Sequence, residues 1–359
     1  MNIYTKENLG WNDFLESHIK NNTTTFSIAR VAIENRNNYL LYAPGEGEAL
    51  AECTGKLLFQ ANQATELPKT GDWVWFQKFE ENKGIIHAVF PRRKVLSRKV
   101  AGELTEEQII ATHVDKVLIV QGLDQNFNIN RLLRSVVMVR EAGITPIIIL
   151  NKKDIGENMA TKLEQVKKQL ANVEVQAISA LKNDGVDAVL NMLKSGETFV
   201  LMGSSGAGKS TLVNALMGKE IAATQQVRNQ DSKGKHTTTR REMHLLPNGV
   251  ILIDTPGMRE LQLMSAKTSL DETFDDVGKL AEQCRFKDCT HTNEVGCAVL
   301  AALESDELSE SSYQNYLKLK KEDAYMESRV SQKAYLEKKA KEKQLHKHIR
   351  SITKKRKFK

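Results

Sequence analysis

No apolar run in this 359-residue chain is long enough to span a membrane, and its start lacks the charged-then-apolar pattern of a secretory leader. A soluble cytoplasmic protein is the expectation. Aromatic residues are scarce, and Trp11, Trp73 and Trp75 all fall in the first quarter of the chain. There are only four cysteines, and Cys284, Cys289 and Cys297 crowd within fourteen residues with His291 among them. In a cytoplasmic chain that clustering points to a metal rather than a disulfide. Cys53 lies apart and reads as an ordinary barrel residue. No internal repeat is present.

Net charge is +7, but it is unevenly spread. From Lys333 to Lys359 there are twelve Lys/Arg against two Glu, an excess of ten that leaves the rest of the chain near −3. A basic tail of this kind suits either an anionic partner, nucleic acid being the commonest, or a solvated helix end. Such a length calls for two or three domains.

What the chain has in full is one phosphate-binding signature. Gly203, Ser204, Ser205, Gly206, Ala207, Gly208, Lys209 and Ser210 fill every fixed position of G-x-x-x-x-G-K-[ST], followed by Thr211. A β-prone run precedes it and a helical pattern follows. Small residues let backbone N–H groups curl around phosphate oxygens at a helix N-terminus. Lys209 is placed to reach the β- and γ-phosphates, and Ser210 to ligate Mg²⁺. A nucleoside triphosphate is the expected ligand.

Residues 1–23 read as an N-terminal arm, either a short helix or a flexible segment. Over 24–100, the short β-prone runs FSIARVAI, NYLLYA, ECTGKLLF, DWVWFQ and GIIHAVF alternate with turn signals, which predicts an OB-type barrel. Arg92, Arg93, Lys94, Arg98 and Lys99 follow its last strand. The barrel is either an RNA-binding module or a spacer with a basic exit linker. From 101 to 265 aliphatic strands alternate with helices, as in a parallel sheet covered on both faces, where ligands sit beyond the strand carboxyl ends. The segment 266–310 reads as a small helical domain around the cysteines, and 311–359 as a basic helical tail. The fold class is therefore multidomain: an N-terminal all-β OB-type barrel, a central α/β P-loop domain, and a C-terminal α-helical zinc-binding domain.

Asn151-Lys152-Lys153-Asp154 follows the strand TPIIIL. The Asp154 carboxylate can accept both N1–H and the 2-amino group of guanine, donors that adenine lacks at those places. Asn151 is placed to tie loops together, and the Lys152 stem to cover the base. Ser179-Ala180, after the next strand, offers a backbone N–H for the 6-oxo group. Asp254 ends the strand VILID and would hold Mg²⁺ through water, while the Gly257 N–H would sense the γ-phosphate. In His236-Thr237-Thr238-Thr239, either Thr238 or Thr239 completes the Mg²⁺ shell. Base-reading motifs thus precede the phosphate-binding ones, a circular permutation of the common GTPase order. Met258 stands where many GTPases carry a water-orienting glutamine, so His236, an ion or a partner must supply that group.

The spacing Cys284-x4-Cys289-x-His291-x5-Cys297 supplies three thiolates and one imidazole, the tetrahedral set of structural zinc. A barrel, NKKD before GSSGAGKST, the HTTT and DTPG segments and this cluster together resemble the RsgA/YjeQ family over about 24–310. The resemblance implies an OB fold, a circularly permuted GTPase domain and one structural Zn²⁺. It further implies GTP hydrolysis with Mg²⁺, stimulated by the small ribosomal subunit and its rRNA during late maturation, with His236 as the candidate catalytic residue. A monomer without membrane attachment is expected. The chain departs from the family in Lys235, where Arg is frequent, and in its long basic tail. The alternatives are a nucleotide-gated rRNA-binding protein with incidental hydrolysis, or a permuted GTPase of the large subunit.

Overall fold

Alternation of buried and exposed residues brings the first five strands together: β1 (Ser27–Glu34), β2 (Tyr39–Ala43), β3 (Gly47–Cys53), β4 (Trp73–Glu80) and β5 (Lys83–Val89). The computed structural model describes residues 4–19, 25–80, 82–99, 107–218, 241–255, 270, 273–322 and 324. In β2, Tyr39, Leu41 and Ala43 point inward at every second position. Their order is β1-β2-β3-β5-β4, and β4 returns to β1, so the sheet closes on itself. Every pairing is antiparallel except β3 with β5. This is an OB-like barrel.

The run ECTGKLLF does not form a single strand. β3 ends at Cys53, and α2 (Gly55–Gln60) follows, with the Thr54 side chain accepting from the Leu57 N–H at its start. A capping threonine at the strand end therefore outweighs the β-prone run after it. Leu57 packs on the barrel core, while Phe59 is left 92% exposed. For the N-terminal segment the outcome is a short helix, α1 (Asp13–Ile19), with Leu15 buried and Trp11 edge-on to Trp73 at 4.7 Å.

The basic stretch after the barrel is also ordered into structure. β6 (Leu96–Lys99) pairs antiparallel with β7 (Glu107–Ala111). Arg92 is occupied internally: its guanidinium donates to both Asp72 carboxylate oxygens and to the carbonyls of Leu67 and Thr65. Its charge neutralises a buried carboxylate and is not presented to solvent.

The central sheet follows. It comprises β8 (Lys116–Gly122), β9 (Thr145–Asn151), β10 (Glu174–Ala177), β11 (Thr198–Met202), β12 (Glu242–Leu245) and β13 (Ile251–Asp254). Their order is β10-β9-β8-β11-β13-β12, parallel except for β12. The helices are α3 (Ile129–Glu141), α4 (Met159–Gln169), α5 (Val186–Asn191) and α6 (Lys209–Met217). Successive aliphatic residues serve opposite faces. Val117, Ile119, Ile148 and Leu150 share one core with Leu133, Val136 and Val137 of α3. Leu118, Val120, Ile147 and Ile149 share the other with Val189, Leu212 and Leu216 of α5 and α6. Each such side chain contributes about 1.5–3 kcal/mol of burial, which holds the strand ends in fixed register.

Barrel and central sheet are continuous. β1 pairs with β12 through Ile33 and Glu242, and the Tyr42 hydroxyl donates to the Met243 carbonyl at 3.4 Å. Arg30, wholly buried in β1, donates from Nε to Gly71 O at 3.0 Å and from a terminal nitrogen to Leu9 O at 2.7 Å. At the C-terminal end, α7 (Asp275–Ala281), α8 (Ala298–Glu304) and a helix over 310–322 bury Val277, Val299, Tyr313 and Tyr316. The Arg134 guanidinium of α3 grips the Glu322 carboxylate at 2.8 and 3.0 Å, so that last helix lies against the sheet domain. The expected helix beyond 324 lies outside the described residues. Among the described residues, no helix is long and apolar enough to cross a membrane.

Candidate nucleotide site and metal centre

β11 is buried along its whole length and delivers the chain to Gly203 in the middle of the sheet. There the backbone passes so close to β8 that a Cβ on Gly203 would lie 2.1 Å from the Val120 carbonyl oxygen. Gly206 (φ 78°) and Gly208 (φ 91°) hold left-handed conformations that let the loop turn back into α6. The residue capping α6 is Gly208, so no cap side chain occupies the first N–H groups of the helix. Lys209 Nζ donates to the carbonyls of Gly203 at 2.7 Å and Ser204 at 2.9 Å, folding over the loop it belongs to. Burial lowers its pKa, opposed by the charge of Asp254. Ser205 and Gly206 form the exposed tip, and Ser210 and Thr211 lie half-buried in the first turn of the helix.

Asn151 joins the loops. Its Nδ2 donates to Ala207 O at 3.0 Å, and its Oδ1 accepts from the Ala180 N–H at 3.0 Å. One buried amide thus ties the ends of β9 and β10 to the phosphate-type loop. A Cβ on Gly208 would fall 2.2 Å from that amide nitrogen, so glycine is required on the P-loop side of the bridge.

The next three residues fan apart. Lys152, at φ 66°, makes an ion pair with Asp124 at 2.7 Å. Lys153 reaches the other way, to Asp184 at 2.6 Å, and its N–H donates to Ile178 O. Asp154 remains half-exposed between them, and a hydrogen bond from Ser179 is the main cause holding its carboxyl below the ordinary range. It is thus an ionised double acceptor at the end of β9. Asp124 and Asp184 are partners that motif reading did not single out. Both lie just beyond strands β8 and β10, where the strand-end rule gives the only signal for them.

Asp254 closes the site from β13. Burial pushes its carboxyl up, while His244 and Lys209 pull it down. Thr255 Oγ1 donates to Leu201 O at 3.1 Å and fixes β13 against the P-loop strand. A carboxylate and the first turn of α6, facing one another in this way, offer oxygen donors of the kind Mg²⁺ takes beside phosphates. The structure therefore gathers Asn151, Lys152, Lys153, Asp154, Ser179, Ala180, Gly203–Thr211 and Asp254 at the carboxyl ends of parallel strands. His236, Thr238, Thr239, Gly257 and Met258 lie outside the described residues.

The second centre is built from a loop and a helix start. The ligand atoms of Cys284, Cys289, His291 and Cys297 all lie within 4.8 Å of one another. Cys284 Sγ is 3.8 Å from Cys297 Sγ and 3.6 Å from His291 Nδ1, and the Cys297 Sγ–Nδ1 distance is 3.5 Å. Tetrahedral zinc, with bonds of about 2.3 Å to sulfur and 2.0–2.1 Å to nitrogen, requires edges of about 3.5–3.8 Å. The donor set fits one such ion. Burial works against the Cys284 thiolate, but the N–H groups of Ala298 and Val299 outweigh it. Burial, with the neighbouring Cys297 and Cys284 thiols, pushes the Cys289 thiol up, a cost that a bound cation would offset. The Tyr313 hydroxyl donates to His291 O at 2.7 Å, pinning the ligand loop to the C-terminal helix.

Residues 89–264 match the family described as RsgA GTPase. The chain is 40% identical over 337 residues to a protein of Opitutus terrae named small ribosomal subunit biogenesis GTPase RsgA, covering 91% of this chain and 92% of that one. Among solved structures, the crystal structure of YjeQ from Thermotoga maritima matches with a TM-score of 0.64 at 23% identity, over 83% of this chain and 98% of that one. YloQ, described as a circularly permuted GTPase, matches with a TM-score of 0.59 at 21% identity, over 83% and 95%.

Proposed function

This chain belongs to the RsgA family of GTPases, hydrolases acting on GTP, and from that premise we propose that it binds the small ribosomal subunit and hydrolyses GTP there during late maturation. The observation that carries the reading is the Asn151 bridge, which locks a guanine-type acceptor loop and a phosphate-type loop into one site. Asp154 reads the N1–H and 2-amino edge of guanine, and the Ala180 region faces the 6-oxo group. The α6 N-terminus and Lys209 take the phosphates. Ser210 and Asp254, with Thr238 or Thr239, would hold Mg²⁺, which would offset the negative charge of the phosphates. Water attacks the γ-phosphorus, the bond to the β-γ bridging oxygen breaks, and GDP and phosphate leave. Gly257 meets the γ-phosphate, and His236 is the candidate group for orienting the water. Zinc at the Cys₃His centre is structural, because four protein ligands leave no open position for chemistry. The partners are the small subunit, its rRNA and GTP or GDP, met by a cytoplasmic monomer.

Turnover of GTP with and without purified small subunits, with large subunits and ATP as controls, tests this. We expect stimulation of about two orders of magnitude or more, confined to GTP and the small subunit. No stimulation by either subunit would remove the ribosomal reading and leave a nucleotide-gated RNA-binding protein. Stimulation by large subunits alone would move the function to that particle.

Base recognition has its own test. Asp154→Asn replaces one acceptor by a donor, which suits the 2-oxo group of xanthine instead of the 2-amino group of guanine. Its affinity for GDP should fall about a hundredfold or more, and its affinity for xanthosine diphosphate should rise above wild type. Calorimetric titration of both nucleotides checks this. Unchanged GDP affinity would show that Asp154 faces away from the base.

A further inference from the structure

We infer that Asp124 is a positioning residue for guanine-nucleotide binding: it holds the Lys152 side chain in place as the cover over one face of the base. The inference rests on the guanine-nucleotide reading above and assigns a role to a residue outside every motif.

Asp124 lies in the turn directly after β8. That turn is rigidly built. Leu123 N–H donates to Asn151 O at 2.9 Å, and Phe127 N–H to Asp124 O at 3.1 Å. Gln121 Nε2 donates to Asn126 O at 3.0 Å, and Lys162 of α4 holds the Leu123 carbonyl at 2.5 Å. Gly122 is needed where it stands, because a Cβ there would lie 2.9 Å from Asp124 Oδ1. Within this frame both carboxylate oxygens are engaged, and the Asn126 side chain adds a further contact. Oδ1 accepts from the Asn126 N–H at 3.0 Å, and Oδ2 accepts from Lys152 Nζ at 2.7 Å.

The pair is only partly screened, since the two side chains are 19% and 28% exposed. Such a charge-assisted bond fixes a long side chain that otherwise retains much of its rotamer freedom. The backbone of Lys152 is already constrained, with φ at 66° and Asn151 bridged on both sides. With backbone and ammonium both held, the aliphatic stem between them, next to Asp154 in the chain, keeps little rotamer freedom. A stem ordered before the ligand arrives makes base binding cost less entropy. Lys153 offers no substitute, because its ammonium is drawn to Asp184 on the β10 side.

The test is a double-mutant cycle on GDP affinity, measured by calorimetry with the full chain. Asp124→Asn keeps an acceptor for the Asn126 N–H and removes the charge that holds Lys152. GDP and GTP should both bind about tenfold more weakly to it, by the same factor, because the base is common to both. In the Lys152→Ala background, adding Asp124→Asn should change affinity by less than about twofold. A wild-type protein that binds neither nucleotide would overturn the guanine reading and this inference with it. Wild-type binding matched by Asp124→Asn would overturn this inference alone. Equal losses in both backgrounds would assign Asp124 a purely structural role and overturn it as well.

Discussion

Lys209→Ala should lower GTP turnover by about two to three orders of magnitude and weaken GTP binding, with the protein still folded. The lysine is half-buried, and its ammonium donates to the Gly203 and Ser204 carbonyls at 2.7 and 2.9 Å. Those bonds are local and replaceable by water, so their loss costs the fold little. With nucleotide bound, the ammonium would be the cationic group of the loop available to the phosphates. Removing one such donor costs about 2.7–4 kcal/mol in comparable sites. Lys209→Arg should not restore activity, since a planar guanidinium does not fit where a compact ammonium sits between two loop carbonyls. Single-turnover hydrolysis and GDP titration of the three proteins check this. Turnover of Lys209→Ala within tenfold of wild type would show that the loop does not act as a phosphate cradle.

Removal of the metal should have the largest effect on stability. One equivalent of zinc per chain is expected, and strong chelation should unfold the segment from α7 through residue 322. Structural zinc contributes about 10–16 kcal/mol in small peptides, comparable to the roughly 5–15 kcal/mol that holds a whole domain together. Three thiols and an imidazole gathered within 4.8 Å of one another form a donor set whose mutual crowding a bound cation would offset. The helix over 310–322 would lose its anchor as well, because Tyr313 is bonded to the His291 carbonyl. Cys297→Ser should reproduce the effect, since the ligand is buried and also precedes α8. Metal content by mass spectrometry, helicity by circular dichroism and GDP affinity measured together check it. A chain that retains its helicity after complete demetallation would show that packing alone sustains this unit.

Much of the candidate nucleotide site is legible in the sequence because its geometry is local. Gly203, Gly206 and Gly208 are spaced by the turn they must make, and a buried strand before them with a helix after them suffices to place the loop. The six-residue core of TPIIIL likewise locates Asn151, because a continuous aliphatic run reads as a fully buried strand. The features that escaped are those made by distant partners. The choice of Asp124 for Lys152, and of Asp184 for Lys153, depends on which strand ends meet, and no residue pattern states it. The hairpin of β6 and β7 was hidden by its charge, for Arg98 bonds to Gln108 across the hairpin while appearing in sequence as part of a basic linker. The helix α2 was missed because a run rich in Leu and Phe carries no helical period over six residues, leaving only Thr54 to announce it. The join between β1 and β12 rests on a pairing of Ile33 with Glu242, which local chemistry cannot foresee.

The order of strands has a consequence for synthesis. β11 lies between β8 and β13 in space, yet the chain makes β8 and β9 first and reaches β11 only after α5. A half-sheet formed by β8 and β9 as they emerge would keep its apolar β8 edge unpaired until Thr198 and the rest of β11 are made. At about 5–20 residues per second that edge waits roughly four to fifteen seconds for its partner. The base-reading half therefore leaves the ribosome as an open template, and arrival of the phosphate-binding strand seals it. For this chain, the strand that leads into the phosphate-type loop is also the strand that covers the open β8 edge.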